Sequence, residues 1–199
     1  TWQYVDWYLR PTAAYYGAQK ACEALHIQYA YDDAGVYVIN TLNDGFKGLA
    51  ARAALHAFDG TLVTAWENTV AVAPDGKTLA CTVERPEDLD PTHFLRLTLE
   101  KDGETVSENV YWLSTTPDIP GGSGYNLDRR FYTSPISQAD FTMLNELPAA
   151  SLDIAAETAV DGDECVVNVT MTAPDDRVAF QVRLDLVGGE AGRALAPCY

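Results

Sequence analysis

At 199 residues the chain is long enough for one large or two small hydrophobic cores, and two is the better count. Thirteen basic residues against 29 acidic ones leave a net charge of −16, a field that repels phosphate backbones and anionic bilayers, so nucleic acid and membrane surfaces are excluded as partners. Hydrophobic residues make up 47% of the chain, which excludes disorder, and no apolar run reaches the roughly 18 residues of a membrane-spanning helix.

Helix is expected only at the start. Trp2, Val5 and Leu9 recur at helical spacing until Pro11 ends the pattern, and residues 15–23 can form a second short helical stretch. From there the pattern is β. Leu25, Ile27, Tyr29 and Tyr31 alternate with His26, Gln28 and Ala30, Asp32-Asp33-Ala34-Gly35 turns the chain, and Val36-Tyr37-Val38-Ile39 returns it as a hairpin. Residues 49–58 are Ala-rich, yet Leu49, Ala51, Ala53, Leu55 and Ala57 fit period two. Asp59-Gly60 before Thr61-Leu62-Val63 is a hairpin turn, so a strand is expected there.

Further strands are expected at residues 70–72, 78–84 and 93–100, the last two separated by the charged loop Arg85-Pro86-Glu87-Asp88-Leu89-Asp90-Pro91. Lys101-Asp102-Gly103-Glu104 then turns into a strand over 105–114. About seven short strands with turns every eight to twelve residues describe an immunoglobulin-like sandwich over 24–115. Residues 116–147 carry Pro117, Pro120, Gly121, Gly122, Gly124 and Pro135 and read as a connector. A second β region follows at 151–156, 165–171 and 178–187, with Val178, Phe180, Val182, Leu184 and Leu186 on one face of its last strand.

Few residues carry chemistry. Cys22, Cys81, Cys165 and Cys198 form neither a C-x-x-C pair nor a zinc-like cluster with the three histidines, so free, mostly buried thiols are expected, with Cys165 and Cys198 the one pair to check. Asp161, Asp163 and Glu164, Asp32 with Asp33, and Asp175 with Asp176 sit at turns where solvated carboxylates belong, without a calcium-loop pattern, so no metal and no cofactor is expected. His26, His56 and His93 lie far apart on strands and read as hydrogen-bonded structural residues. Asn168-Val169-Thr170 fits a glycosylation sequon by chance in a strand.

Sugar rings stack on exposed aromatic faces, and Trp66, Tyr111, Trp112, Tyr125, Phe131 and Tyr132 are the aromatics to weigh for that role. Trp112 alternates with Val110 and reads as core. Tyr125, Phe131 and Tyr132 fall in the irregular connector and are the carbohydrate-contact candidates, with packing against a neighbouring domain as the competing reading.

Several strings together resemble one enzyme family. Trp7-Tyr8-Leu9-Arg10-Pro11 and Tyr16-Gly17-Ala18-Gln19-Lys20-Ala21-Cys22-Glu23 are similar to the end of the catalytic barrel in glycoside hydrolases of family 2, in the exo-β-glucosaminidase and endo-β-mannosidase branch. Val110-Tyr111-Trp112-Leu113-Ser114 with Pro117-Asp118 resembles the end of that family's penultimate sandwich. Asp140-Phe141-Thr142-Met143-Leu144-Asn145 with Leu147-Pro148 resembles the linker into its final domain, and Val178-Ala179-Phe180-Gln181-Val182-Arg183-Leu184 a strand within it. Ala24 stands where the family has Pro.

The resemblance implies an all-β chain of tandem immunoglobulin-like β-sandwiches with a short helical N-terminal remnant of a barrel. Its divisions are 1–23 for the barrel tail, 24–115 for the first sandwich, 116–147 for the connector and 148–199 for a truncated second sandwich. It also implies that the two catalytic Glu lie upstream of Thr1, that this segment carries no catalytic residue, and that its partner is the barrel of the same polypeptide. Trp2, Trp7, Tyr8, Tyr15 and Tyr16 would pack on that barrel and promote self-association without it. A carbohydrate-binding module and a β-sandwich adhesion or interaction domain are the competing readings. The residues leave the compartment open, the bacterial periplasm or exterior being the leading expectation.

Overall fold

The computed structural model describes residues 3–119, 121, 135–162, 164–174, 177–184, 186–188 and 193–196. Residues 3–10 are not helical. Asp6 Oδ1 accepts the backbone N–H groups of Tyr8 at 2.8 Å and Arg10 at 2.9 Å, Val5 bridges to Pro11, and Leu9 takes a left-handed φ of 62°. A short carboxylate that satisfies nearby N–H groups competes with the helical ladder, and Pro11 disfavours the α conformation at Arg10. The helix expected through Val5 and Leu9 is therefore absent, and Trp2 lies outside the described residues. The second expected helical stretch, 15–23, does form, as the one α-helix among the described residues, α1 (Ala13–Ala21), with Lys20 in its last turn.

Seven strands then build two facing sheets: β1 (Leu25–Tyr29), β2 (Gly35–Asn40), β3 (Phe46–His56), β4 (Leu62–Val72), β5 (Gly76–Thr82), β6 (Thr92–Lys101) and β7 (Glu104–Ser114). The order is β1-β2-β5 in one sheet and β4-β3-β6-β7 in the other, every pairing antiparallel. Ile27, Tyr29, Val36 and Val38 of the first sheet share one apolar core with Leu49, Ala51, Ala53, Leu97, Leu99 and Leu113 of the second. The Ala-rich stretch is a strand, because period two survives burial: Leu49, Ala51, Ala53 and Leu55 point inward while Arg52 points out to Glu67 and Glu100. Ala53 lies opposite Trp66 on one side and Leu97 on the other, so the larger neighbours fill the space the alanines leave.

Two features close the sandwich. Asn40, almost fully buried, donates from Nδ2 to Asp44 O and Ala73 O, both at 2.8 Å, and accepts from Leu42 N at 3.0 Å, tying the loops after β2 and β4 together. On the β1 edge, Ile27 N donates to Ser107 Oγ at 3.4 Å and Tyr29 N to the Tyr111 hydroxyl at 3.2 Å, so side chains of β7 satisfy N–H groups that have no strand partner.

Four expectations are corrected here. Residues 70–72 are the end of β4, not a separate strand, since the Asp59-Gly60 turn launches eleven continuous residues. Tyr31 is not in β1: the strand ends at Tyr29, Tyr31 opens the turn, and its side chain is exposed. Trp112 is not core. β7 turns Ser107, Tyr111 and Leu113 inward, which places Val110 and Trp112 on the outer face with Trp112 40% exposed. Residues 178–184 are not a strand; Gln181 has a φ of 52°, Val182 and Leu184 are exposed, and Phe180 turns back onto the first sandwich.

That return makes the seam between the two β regions. The Phe180 ring lies 5.2 Å from Trp112 and 5.9 Å from Phe94, and Val178 Cγ2 sits where a Cβ on Gly60 would approach to 3.1 Å. Phe94, an outer-face residue, is buried as a result. Within residues 116–147, Ile119 bridges Ser137 and Thr142–Glu146 forms a turn of 3-10 helix. Beyond it, β8 (Asp153–Asp161) and β9 (Glu164–Thr172) form one hairpin, and β10 (Leu186–Gly188) and β11 (Arg193–Ala196) another. The β8–β9 hairpin leaves Ile154, Val160, Val166 and Val167 exposed.

Candidate functional site

The aromatic candidates separate by position. Trp66 packs against the core and Tyr111 is half-buried beside it, while Trp112 faces Phe180. Tyr125, Phe131 and Tyr132 lie outside the described residues. Among the described residues the most exposed aromatics lie in the N-terminal segment, where Trp7 is 91% and Tyr8 74% exposed, with Tyr4 and Tyr16 exposed nearby in sequence. Arg10 lies 5.7 Å over the Tyr8 ring and Tyr15 meets Tyr16 edge-on at 5.4 Å.

This segment is joined to the sandwich through Glu23. Its Oε1 pairs with Lys20 Nζ at 2.8 Å, its Oε2 accepts from Ser107 Oγ at 2.7 Å, and its carbonyl meets His26 Nδ1 at 2.6 Å. Burial pushes the Glu23 carboxyl up, but the Lys20 and Ser107 hydrogen bonds together outweigh it and hold the group below the usual range. The seam therefore runs from helix to sheet through one carboxylate.

A second aromatic group was missed by the sequence reading. Tyr31, 71% exposed, packs edge-on against Tyr29 at 5.3 Å and Tyr111 at 6.2 Å, and those two rings meet at 5.8 Å. Partial burial, the Tyr111 and Tyr29 rings and the Asp118 carboxylate hold the Tyr31 phenol above its usual range. The available signal was Asp32-Asp33, which ends the strand early and puts Tyr31 in the turn.

The histidines divide. His26 and His56 have hydrogen-bond partners, His56 Nδ1 meeting Gly60 O at 2.9 Å. His93 is fully buried on the inner face of β6, its Nδ1 meets Asp90 O at 3.2 Å, and its Nε2 has no partner, so the expectation of a fully hydrogen-bonded side chain is corrected. Position 93 shares the inward parity of Leu95 and Leu97, which places the ring in an apolar layer. The thiols also differ from expectation: Cys22 and Cys165 are exposed and Cys81 is half-buried, all three free, while Cys198 lies outside the described residues. Among the described residues no three His, Cys, Asp or Glu side chains gather as a metal site, and no helix is long and apolar enough to cross a membrane.

Two shallow cavities occur, one within residues 116–147 and one at the Phe180 seam. One of about 650 Å³ is lined by Thr116, Asp140, Phe141 and Asn145, the other of about 320 Å³ by Leu144, Leu147, Leu152, Val178 and Phe180. Neither gathers a nucleophile, a base and an oxyanion donor.

Residues 32–116 match the mannosidase Ig/CBM-like domain and residues 130–199 the exo-β-D-glucosaminidase Ig-fold domain. An exo-β-D-glucosaminidase of Amycolatopsis orientalis is 35% identical over 98% of this chain and 19% of its own length; one from Arthroderma benhamiae is 27% identical over 100% of this chain and 22% of its own. The crystal structure of the Amycolatopsis orientalis exo-chitosanase superposes with a TM-score of 0.86 at 34% identity, covering 98% of this chain and 23% of that one. The chain thus spans about a fifth of the length of the curated relatives it matches. In class it is an all-β segment of immunoglobulin-like accessory domains. Its homologues are exo-β-D-glucosaminidases, glycoside hydrolases of family 2, and it corresponds to a minor part of each.

Proposed function

We propose that this segment braces the catalytic barrel of a retaining β-glycosidase that removes glucosamine units, and supplies no catalytic residue itself. The observation that carries this reading is the superposition of 98% of the chain on 23% of an exo-chitosanase at a TM-score of 0.86. Residues 1–23 then belong to the barrel's tail, 24–115 to the first sandwich, 116–147 to the connector and 148–199 to the second sandwich. In the barrel, two Glu about 5–5.5 Å apart act as nucleophile and as general acid/base through a covalent glycosyl-enzyme intermediate. The exposed rings of Trp7 and Tyr8 fit a surface that the barrel covers, and Glu23 transmits its position to the sandwich through Lys20 and Ser107.

The test is hydrolysis. The purified 199-residue chain should hydrolyse neither an aryl β-glucosaminide nor chitosan. A polypeptide extended upstream through the barrel should hydrolyse both and lose that activity when residues 24–199 are deleted. Turnover by the 199-residue chain would overturn the reading, as would full activity of the deleted form.

A further inference from the structure

Tyr31 is a large aromatic that the core does not need, yet its position is fixed. The rings beneath it are anchored: the Tyr29 hydroxyl accepts from Arg85 Nη2 at 2.9 Å, and the Tyr111 hydroxyl accepts from Asn109 Nδ2 at 3.0 Å and from Tyr29 N at 3.2 Å. Tyr31 leans on both rings and stays 71% exposed. A ring held in place before binding loses little freedom when a ligand stacks on it.

Two carboxylates neighbour this ring. Asp32 follows it in the turn and is exposed, and Asp118 lies within electrostatic reach of the phenol. Arg85, the cation beneath the trio, is engaged by the Tyr29 hydroxyl and by Ser114 O at 3.4 Å. The chain as a whole carries −16. An aromatic platform in a negative field suits a sugar that is apolar on its ring face and cationic at its edge.

We propose that Tyr31, supported by Tyr29 and Tyr111, is a surface binding site for a β-linked oligomer of glucosamine. One sugar stacks on the Tyr31 ring and its ammonium group faces Asp32 and Asp118. The choice of sugar rests on the reading given under Proposed function.

The experiment is titration of the full 199-residue chain with a fully deacetylated glucosamine tetramer, followed by calorimetry and by shifts of tyrosine ring resonances. Saturable binding is expected, weakened about tenfold by Tyr31→Ala and kept within about twofold by Tyr31→Phe, because the ring and not the hydroxyl makes the contact. The N-acetylated tetramer should bind more weakly, and raising salt from about 0.05 to about 0.5 M should weaken the amine form several-fold. Unchanged binding in Tyr31→Ala, or no binding of the amine tetramer, overturns the proposal. Tyr31 is exposed, so near-ultraviolet circular dichroism should confirm that Tyr31→Ala keeps the native fold. Hydrolysis of a small aryl β-glucosaminide by the upstream-extended polypeptide reads the catalytic assignment separately, because it is scored without any measurement of binding at Tyr31.

Discussion

Acidification should destabilise the first sandwich through one side chain, His93. Asp90 O can only accept, so His93 Nδ1 carries the proton and Nε2 is a bare acceptor enclosed without a partner. Burial pushes the imidazole pKa down, the backbone contact with Asp90 opposes this, and nearby Arg85 adds to the depression. A histidine whose folded pKa lies below its unfolded value of about 6.5 contributes fully above that pH and loses its contribution as the pH falls towards the folded value. One proton is worth about 1.4 kcal/mol per pH unit, so up to about 1.4 kcal/mol is lost by pH 5.5. The charge of −16 works the other way, since acid relieves self-repulsion, and a comparison with His93→Leu isolates the histidine. That variant removes an unsatisfied acceptor costing about 1–3 kcal/mol and a hydrogen bond contributing about 0.5–1.5 kcal/mol, so at pH 7.5 it should be neutral or stabilising by about 1–2 kcal/mol. Urea unfolding followed by tryptophan fluorescence at pH 7.5 and 5.5 measures both effects. The variant's advantage should grow on acidification; parallel loss in the two proteins would refute the reasoning.

Asn40→Ala removes three hydrogen bonds from a buried position and leaves Ala73 O to find another donor, so a loss of about 3 kcal/mol is expected in the same urea assay. Phe180→Ala deletes the ring contacts to Phe94 and Trp112, each worth about 0.5–1.5 kcal/mol. It should speed protease cleavage within residues 177–184 several-fold while leaving the urea stability of the first sandwich within about 0.5 kcal/mol, because that segment opens locally. Trp7→Ser with Tyr8→Ser should shift sedimentation towards monomer if the exposed rings drive self-association, and an unchanged distribution would remove them from that role.

How much could be read in advance followed how local the cause was. Strands β1 to β7, apart from the length of β4, were legible because period two and the turns at Asp32-Asp33, Asp59-Gly60 and Asp102-Gly103 act within a few residues. The Ala-rich β3 was legible only because its hairpin turn broke the tie with helix propensity. What failed depended on partners distant in sequence. Trp112 has the alternation of a strand residue, but which face is inward is set by the opposing sheet, and an apolar residue on the outer face waits for Phe180, 68 positions later. Phe180 shows the reverse error: five apolar residues at period two suggested a strand, yet tertiary burial against Phe94 and Trp112 took the ring and left Val182 and Leu184 exposed. The same logic separates the two aromatic surfaces. Trp7 and Tyr8 carried a recognisable string, while Tyr31 became visible only when the turn placed it over Tyr29 and Tyr111, 82 residues away from the first of that pair. Sequence alternation thus states which residues alternate, and only packing decides which of the two faces is the inside.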